Sequence, residues 1–167
     1  MNHKIKHSQH ISKNCIVCGI DNDFGLKTRF YETEGNELIA VFRPLSEHQS
    51  YPKITHGGIS AAILDEVIGR AIMTIADSDT FGVTIELKLR YKKPVPTCVE
   101  LKAIGRITKD SGRIFEGTGE LYLPDGEVAV EAEGRYLKRR IDQITTIHFT
   151  ENEWFVPKDP LPGEIDV

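Results

Sequence analysis

The chain has 167 residues, of which 40% are hydrophobic and 28% are charged, and its formal net charge is −4. This composition is typical of one soluble folded domain and excludes a disordered or collagen-like chain. A mildly acidic balance gives no positive field that would draw the protein onto nucleic acid or an anionic membrane. A domain of this length can also bury enough apolar surface to be stable without disulfides or a structural metal.

Residues 1–14 are polar and lack the apolar segment of a signal peptide, so we expect a flexible N-terminal tail. No run of about 18 apolar residues occurs elsewhere, and we therefore expect no membrane span. The chain has three cysteines, an odd number that favours a reducing compartment. We predict a cytoplasmic protein.

Two short strands are predicted first, from Leu26 to Glu32 and from Glu37 to Phe42. They are joined around Gly35, and Pro44 ends the second one because proline cannot donate to a strand ladder. This part of the chain is expected to form one edge of a sheet.

The next element is one long helix that is predicted to begin after His56 and to end at about Ala76. Gly57 and Gly58 open it, and they leave the backbone amides of the first turn uncovered by side chains. These amides lack intrahelical acceptors and can hold an anion or a developing oxyanion. Close packing of the helix start would equally explain the two glycines.

Four polar side chains of this helix fall within one arc of about 120°, which predicts its wetter face. They are Ser60, Glu66, Arg70 and Thr74. Glu66 and Arg70 are four residues apart, so a solvated ion pair accounts for both.

Asp65 lies almost opposite this arc, on an apolar face of the helix. The surrounding residues are Ala61, Ile68, Gly69, Ile72 and Ala76. An unpartnered carboxylate there would cost several kcal/mol, so Asp65 must be paired, protonated or turned toward a functional cavity. A structural hydrogen bond and a catalytic role are both open at this point.

The second half of the chain predicts four longer strands. They run from Val83 to Tyr91, Cys98 to Thr108, Arg113 to Leu123 and Glu127 to Lys138. Alternation places Thr84 on the face opposite Val83 and Ile85, and three hairpin links predict an antiparallel meander. One helix against about six antiparallel strands is an α+β domain whose sheet curls around the helix. Residues 141–167 are expected to be an extension packed on the surface.

Residues 56–66, His-Gly-Gly-Ile-Ser-Ala-Ala-Ile-Leu-Asp-Glu, resemble the helix signature of hotdog-fold acyl-CoA thioesterases, in particular the PaaI-like group. Three further segments are similar to this group: Cys15–Gly19 with Gly25-Leu26, Tyr91–Pro96, and Gly134-Arg135-Tyr136. The resemblance places the thioesterase domain at residues 15–140.

The resemblance implies a hotdog fold in which two protomers join their sheets edge to edge, as a homodimer or a dimer of dimers, with active sites at the interface. Gly57 would donate its amide to the thioester carbonyl. Asp65 would act from the partner subunit, as base for water or as nucleophile, and Thr84 would orient that water. The implied substrate is a small or medium acyl-CoA, and no cofactor is implied besides the coenzyme A of the substrate.

Further residues are candidates for substrate binding. Ser50 stands six residues before the His, where some relatives carry Asn. The others are His56, Gly58, Glu66, Arg139 and Arg140. A local cationic patch must receive the phosphates of coenzyme A, because the whole chain is acidic.

Cys15 and Cys18 also allow a zinc or redox interpretation, with His10 and His7 as further ligands. Four ligands at ordinary spacing are not evident, and we predict no metal. Two alternative functions compete with thioester hydrolysis: an acyl-CoA binding or sensing module, and an enoyl-CoA hydratase. The hydratase would require a paired His and acidic residue that the sequence does not provide at matching positions.

Overall fold

The computed structural model describes residues 1–146 and 148–167. The strands are β1 (Asn2–Ser8), β2 (Ile11–Ser12), β3 (Arg29–Thr33), β4 (Leu38–Phe42), β5 (Phe81–Tyr91), β6 (Leu101–Asp110), β7 (Ile114–Tyr122), β8 (Val128–Arg139), β9 (Trp154–Phe155) and β10 (Glu164–Asp166). The α-helices are α1 (Gly57–Ala71) and α2 (Phe149–Asn152), and short 3-10 turns occupy Ser46–His48, Ile72–Thr74 and Ile141–Gln143.

A large antiparallel sheet packs against α1, as the sequence predicts for an α+β domain. Its strand order is β10-β1-β3-β4-β6-β7-β8-β5, and the core between sheet and helix includes Phe30, Leu64, Ile68, Phe115 and Leu121. The predicted number of about six strands is wrong: the described residues place eight in this sheet. The additional strands come from the two ends of the chain.

The N-terminal residues, predicted to be a tail, form β1 and β2 instead. β1 pairs with β3 through Ile5 and Thr33, and β10 pairs with β1 through Ile165 and His3. The sequence signal is weak because β1 is largely polar. Backbone hydrogen bonds to β3 and β10, rather than a hydrophobic face, hold it in the sheet. The C-terminal extension also pairs β9 with β2.

The predicted meander is correct for β6, β7 and β8 but wrong for β5. β5 pairs with β8 over its whole length, from Phe81 opposite Arg139 to Tyr91 opposite Val130. β6 pairs instead with β4. The segment 92–100 contains Pro94 and Pro96, and it carries the chain across rather than turning back as a hairpin. β5 is therefore an outer edge of the sheet.

A β-bulge in β5 changes which of its side chains face the helix. The register with β8 shifts between Thr84 and Glu86, so Ile85 is the extra residue and is half exposed. Thr84 contacts α1, and Leu87 and Leu89 also pack against the core. The uninterrupted alternation predicted Thr84 on the opposite face. The prediction is wrong because a bulge inserts one residue into the period of two.

The helix begins where the sequence predicts and ends earlier. His56 caps it, with Nδ1 accepting from the Gly58 amide at 2.9 Å, and the α-helix ends at Ala71 before the 3-10 turn. The predicted wetter face is wrong, because Ser60, Arg70 and Thr74 are buried. The N-terminal segment covers it: the Arg70 guanidinium donates to the His10 carbonyl at 2.8 Å.

Glycines on the sheet allow the helix to lie close to it. A Cβ at Gly105 would lie 2.5 Å from the Val67 carbonyl oxygen of α1, which is shorter than any tolerable contact. We expect Gly105→Ala to lower the free energy of unfolding by about 2 kcal/mol through overpacking. Urea denaturation measures this, with Gly35→Ala as the control, because a Cβ there meets its nearest neighbour at 3.6 Å. Equal stabilities of the two variants would contradict the prediction.

Candidate active site

Asp65 is half buried on α1, and two hydroxyl groups from the sheet hold its carboxylate. The Thr84 hydroxyl donates to Oδ1 at 2.9 Å and to Oδ2 at 3.1 Å. The Tyr136 hydroxyl lies 3.1 Å from Oδ1 and 3.2 Å from the Asp65 carbonyl. The carboxylate is therefore hydrogen-bonded, as one of the two open interpretations required.

Tyr136 reaches the helix because it lies on the inward face of β8, with Ala132 and Gly134. Its ring stacks on Phe115 with centroids 5.1 Å apart. A Cβ on Gly69 would lie 3.2 Å from the Tyr136 ring, so the glycine at this helix position leaves room for the ring. No local pattern predicts the contact of Tyr136 with Asp65, although the alternation of β8 indicates that Tyr136 points inward.

The same carboxylate also borders a cavity of about 230 Å³. The cavity is lined by Ser12, Cys15, Asp65, Glu66, Gly69, Arg70, Met73, Phe81, Gly82, Thr84, Tyr136, Phe149 and Trp154. Phe149 and Trp154 come from the C-terminal extension and pack with Phe81 as a group of aromatic rings. Asp65 thus has hydrogen-bond partners and faces a largely apolar cavity.

Burial is the largest influence on the pKa values of Asp65 and Tyr136. Desolvation raises the pKa of Asp65, the hydrogen bonds from Thr84 and Tyr136 oppose that rise, and the nearby charge of Glu66 adds to it. Burial, followed by the Asp65 charge, raises the pKa of Tyr136, so its hydroxyl keeps its proton and remains a donor. A carboxylate of raised pKa is a stronger base than a solvated one and can take a proton from bound water.

We expect Tyr136→Phe to raise the pKa of Asp65 further. The substitution removes a donor that stabilises the ionised carboxylate and leaves the desolvation in place. Titration of the side-chain carboxyl by NMR measures the shift. Tyr91→Phe is the matched control, since the Tyr91 hydroxyl donates to the Gly57 carbonyl and not to Asp65. An Asp65 pKa that is unchanged or lower in Tyr136→Phe would contradict this account.

Glu66 and Arg70 form the predicted i,i+4 ion pair, with Nε and Oε1 2.6 Å apart. Arg70 is buried rather than solvated: its guanidinium carbon lies 4.5 Å from the Phe30 ring centroid and 4.7 Å from that of Trp154. This arrangement holds the Glu66 carboxylate in the cavity wall beside Asp65.

The two cysteines of the N-terminal segment lie next to this ion pair. The sulfurs of Cys15 and Cys18 and a carboxylate oxygen of Glu66 lie within 4.8 Å of one another. The histidines considered with them point elsewhere: His10 stacks on Trp154, and His7 lies 3.2 Å from a Glu32 oxygen.

Gly57 and Asp65 do not meet within one chain. They are eight residues apart on α1, which corresponds to about 12 Å along the helix axis. Among the described residues no group accepts a hydrogen bond from the Gly57 amide, whereas its carbonyl accepts one from Tyr91. The amide can therefore donate a hydrogen bond to a ligand, but an Asp65 close to it would have to come from another protomer.

The other predicted binding residues lie outside the cavity, with the exception of Glu66. His56 is exposed and caps the helix by accepting a hydrogen bond from the Gly58 amide. Ser50 is exposed in the loop before the helix. Arg139 and Arg140 lie at the end of β8 and just beyond it. One protomer does not bring these five residues together with Asp65.

No helix in the described part of the chain is long and apolar enough to cross a membrane.

Comparison with known proteins agrees with this fold. Residues 53–130 match the family model of the thioesterase superfamily. An uncharacterized protein of Schizosaccharomyces pombe is 31% identical over 97 residues, which cover 58% of this chain and 55% of that protein. Mouse (Mus musculus) acyl-coenzyme A thioesterase THEM4 is 30% identical over 84 residues, which cover 50% of this chain and 35% of that protein. The chain thus spans about half or less of these relatives.

Among solved structures, the thioesterase superfamily protein RHA08564 is 26% identical and superimposes with a TM-score of 0.68, covering 75% of this chain and 60% of that one. The family match includes α1 with Asp65, and the superposition covers three quarters of the chain. The predicted hotdog fold is confirmed, and residues 53–130 are similar to the thioesterase superfamily.

Proposed function

We propose that this protein is a thioester hydrolase that cleaves a small or medium acyl-CoA to the free acid and coenzyme A. The observation that carries the proposal is the Asp65 carboxylate, which is held by Thr84 and Tyr136 in the wall of a cavity that is also bordered by several aromatic side chains. The family match and the similarity to an acyl-coenzyme A thioesterase support the same reaction.

Asp65 would activate a water molecule or attack the thioester carbon itself. Burial raises its pKa and so strengthens it as a base. The Thr84 hydroxyl, which borders the cavity, would orient the water. The departing thiolate is a good leaving group, and the reaction requires water and no cofactor. Few groups are therefore needed at the site.

The developing oxyanion needs a donor, and the Gly57 amide of a second protomer would supply it. One such preorganised amide contributes about 10²–10³ in rate. Glu66 would contact the substrate in the cavity wall. Arg139 and Arg140 would receive the phosphates of coenzyme A from the end of β8. His56, Gly58 and Ser50 would contact the substrate from the partner's helix start.

A dimer is proposed because β5 is an unpaired sheet edge. It is 11 residues long and exposes Val83 and Ile85, and a long edge strand that no described residue covers offers its unpaired backbone groups to another chain. Two β5 strands joined edge to edge would continue the sheet and place both helices on the same side. Dimer and dimer of dimers are both compatible with this edge.

We expect Ile85→Glu to produce monomers and to abolish hydrolysis. The charge would lie at the proposed β5 junction, where two copies would repel each other and would have to be desolvated. Light scattering coupled to size-exclusion chromatography measures the mass. Glu86→Gln, one residue along the strand, serves as the control that keeps the oligomer. A monomeric Ile85→Glu variant with full turnover would refute the two-protomer site.

A panel of acyl-CoA substrates scored for released thiol tests the function itself. We expect thiol release with at least one class of acyl chain. Isothermal titration with the same acyl-CoAs distinguishes the second candidate, a binding or sensing module. Tight binding without thiol release would favour the sensor, and neither binding nor release would refute both proposals.

A further inference from the structure

Cys15 and Cys18 form a pair beside the cavity that the proposed hydrolysis does not use. Cys15 is partly exposed and lines the cavity, and Cys18 is buried behind it. The turn between them is closed by the Gly19 amide, which donates to the Cys15 carbonyl at 2.8 Å. The two sulfur atoms lie within 4.8 Å of each other. In a disulfide the two sulfurs are about 2.05 Å apart, so the two side chains must turn toward each other to form one.

The surroundings of the two sulfurs differ. The Val17 amide donates to Cys15 Sγ at 3.3 Å, while Cys18 Sγ accepts from the Ser12 amide and from Arg70 Nη2, each at 3.2 Å. The hydrogen bond from the Cys18 thiol lowers the pKa of Cys15 to about 6. The same hydrogen bond and burial raise the pKa of Cys18. The partly exposed Cys15 is therefore the more acidic of the two thiols, and the buried Cys18 is the one that holds its proton more tightly.

The position of Arg70 disfavours a metal ion between Cys15, Cys18 and Glu66. Its guanidinium lies between the rings of Phe30 and Trp154, and its Nε is bonded to the Glu66 carboxylate that would be the third ligand. A divalent cation would compete with this buried positive charge for the same oxygen. The guanidinium instead donates to Cys18 Sγ at 3.2 Å and partly offsets the rise in the pKa of that thiol, which assists Cys18 when it attacks a mixed disulfide on Cys15.

We propose that Cys15 and Cys18 are a redox-active dithiol that reacts with low-molecular-weight disulfides such as glutathione disulfide. The Cys15 thiolate attacks one sulfur, forming a mixed disulfide and releasing one glutathione thiolate. Cys18 then gives its proton to that thiolate and attacks Cys15 Sγ, which releases the second glutathione. The dithiol is oxidised by two electrons, and glutathione disulfide is reduced to two molecules of glutathione.

Mass spectrometry of the full chain treated with excess glutathione disulfide tests this. We expect the wild type to lose two hydrogens through a 15–18 disulfide that dithiothreitol reverses. Cys18→Ser should retain glutathione on Cys15, and Cys15→Ser should carry none on Cys18. Cys98→Ser, which removes the exposed third cysteine, should form the 15–18 disulfide as the wild type does. Circular dichroism checks that each variant is folded.

The rate of alkylation gives a second, independent measurement. At pH 5.5 we expect iodoacetamide to modify Cys15 about tenfold faster than Cys98, because its thiolate fraction outweighs the lower nucleophilicity of a more acidic thiol. Modification of Cys98 alone in both experiments would overturn the proposal. Binding of one zinc ion per chain that requires both cysteines would also overturn it, in favour of a metal site. Neither readout depends on acyl-CoA hydrolysis.

Discussion

Asp65→Asn is expected to lower kcat/KM for acyl-CoA hydrolysis by about 10²–10⁴-fold, the range of a lost general base. The amide is nearly isosteric and can still accept from Thr84 and Tyr136, so the cavity should keep its shape. It can neither take a proton from water nor form an acyl anhydride with the substrate. Thiol release from the best acyl-CoA of the panel measures the loss.

The matched control is Asp79→Asn, which makes the same chemical change in an exposed loop. It should retain wild-type turnover. Normal turnover in Asp65→Asn, with an unchanged oligomer, would remove Asp65 from the reaction while leaving the fold assignment intact.

The raised pKa of Asp65 also predicts that the stability of the protein depends on pH. Burial raises the pKa of Asp65 in the folded state above its unfolded value of about 3.9. The folded state therefore binds the proton more tightly, and the stability that this contributes is lost as pH rises through the folded pKa. Thermal melting should show wild type losing stability relative to Asp65→Asn over that window. A relative gain of the wild type would contradict the raised pKa.

Arg70→Met is expected to have the second large effect, a loss of stability rather than of catalytic activity. We expect it to lower the free energy of unfolding by about 3 kcal/mol, as is usual when one partner of a buried ion pair is removed. Methionine fills much of the space between Phe30 and Trp154, but Glu66 and the His10 carbonyl lose their donor. Urea denaturation measures the change.

Arg106→Met provides the comparison for burial. Arg106 also contacts two carboxylates, those of Glu37 and Glu120, but about a third of its side chain is exposed. Its removal should cost no more than about 1 kcal/mol, because solvent screens such pairs. Equal losses in the two variants would show that burial of the Arg70 pair contributes nothing.

Much of the candidate site could be predicted from the sequence. The angular position of Asp65 on an apolar helix face identified it as anomalous before any partner was known, and the motif from His56 to Glu66 predicted the fold. Thr84 was identified only through the family resemblance. Its alternation with Ile85 indicated the opposite face, because a bulge leaves no mark on the local pattern.

The sequence by itself determined the local features of this protein: one helix with an open N-terminus, a carboxylate at its apolar centre and strands separated by turn residues. Periodicity and turn chemistry act over a few residues and can be read without a structure. Only the tertiary structure decided that β5 pairs with β8, that Tyr136 and Thr84 reach Asp65, and that Arg70 is buried beneath the N-terminal segment. These contacts join residues that are 19 to 71 positions apart in the sequence. Their energy depends on which surfaces meet, and no local pattern encodes that.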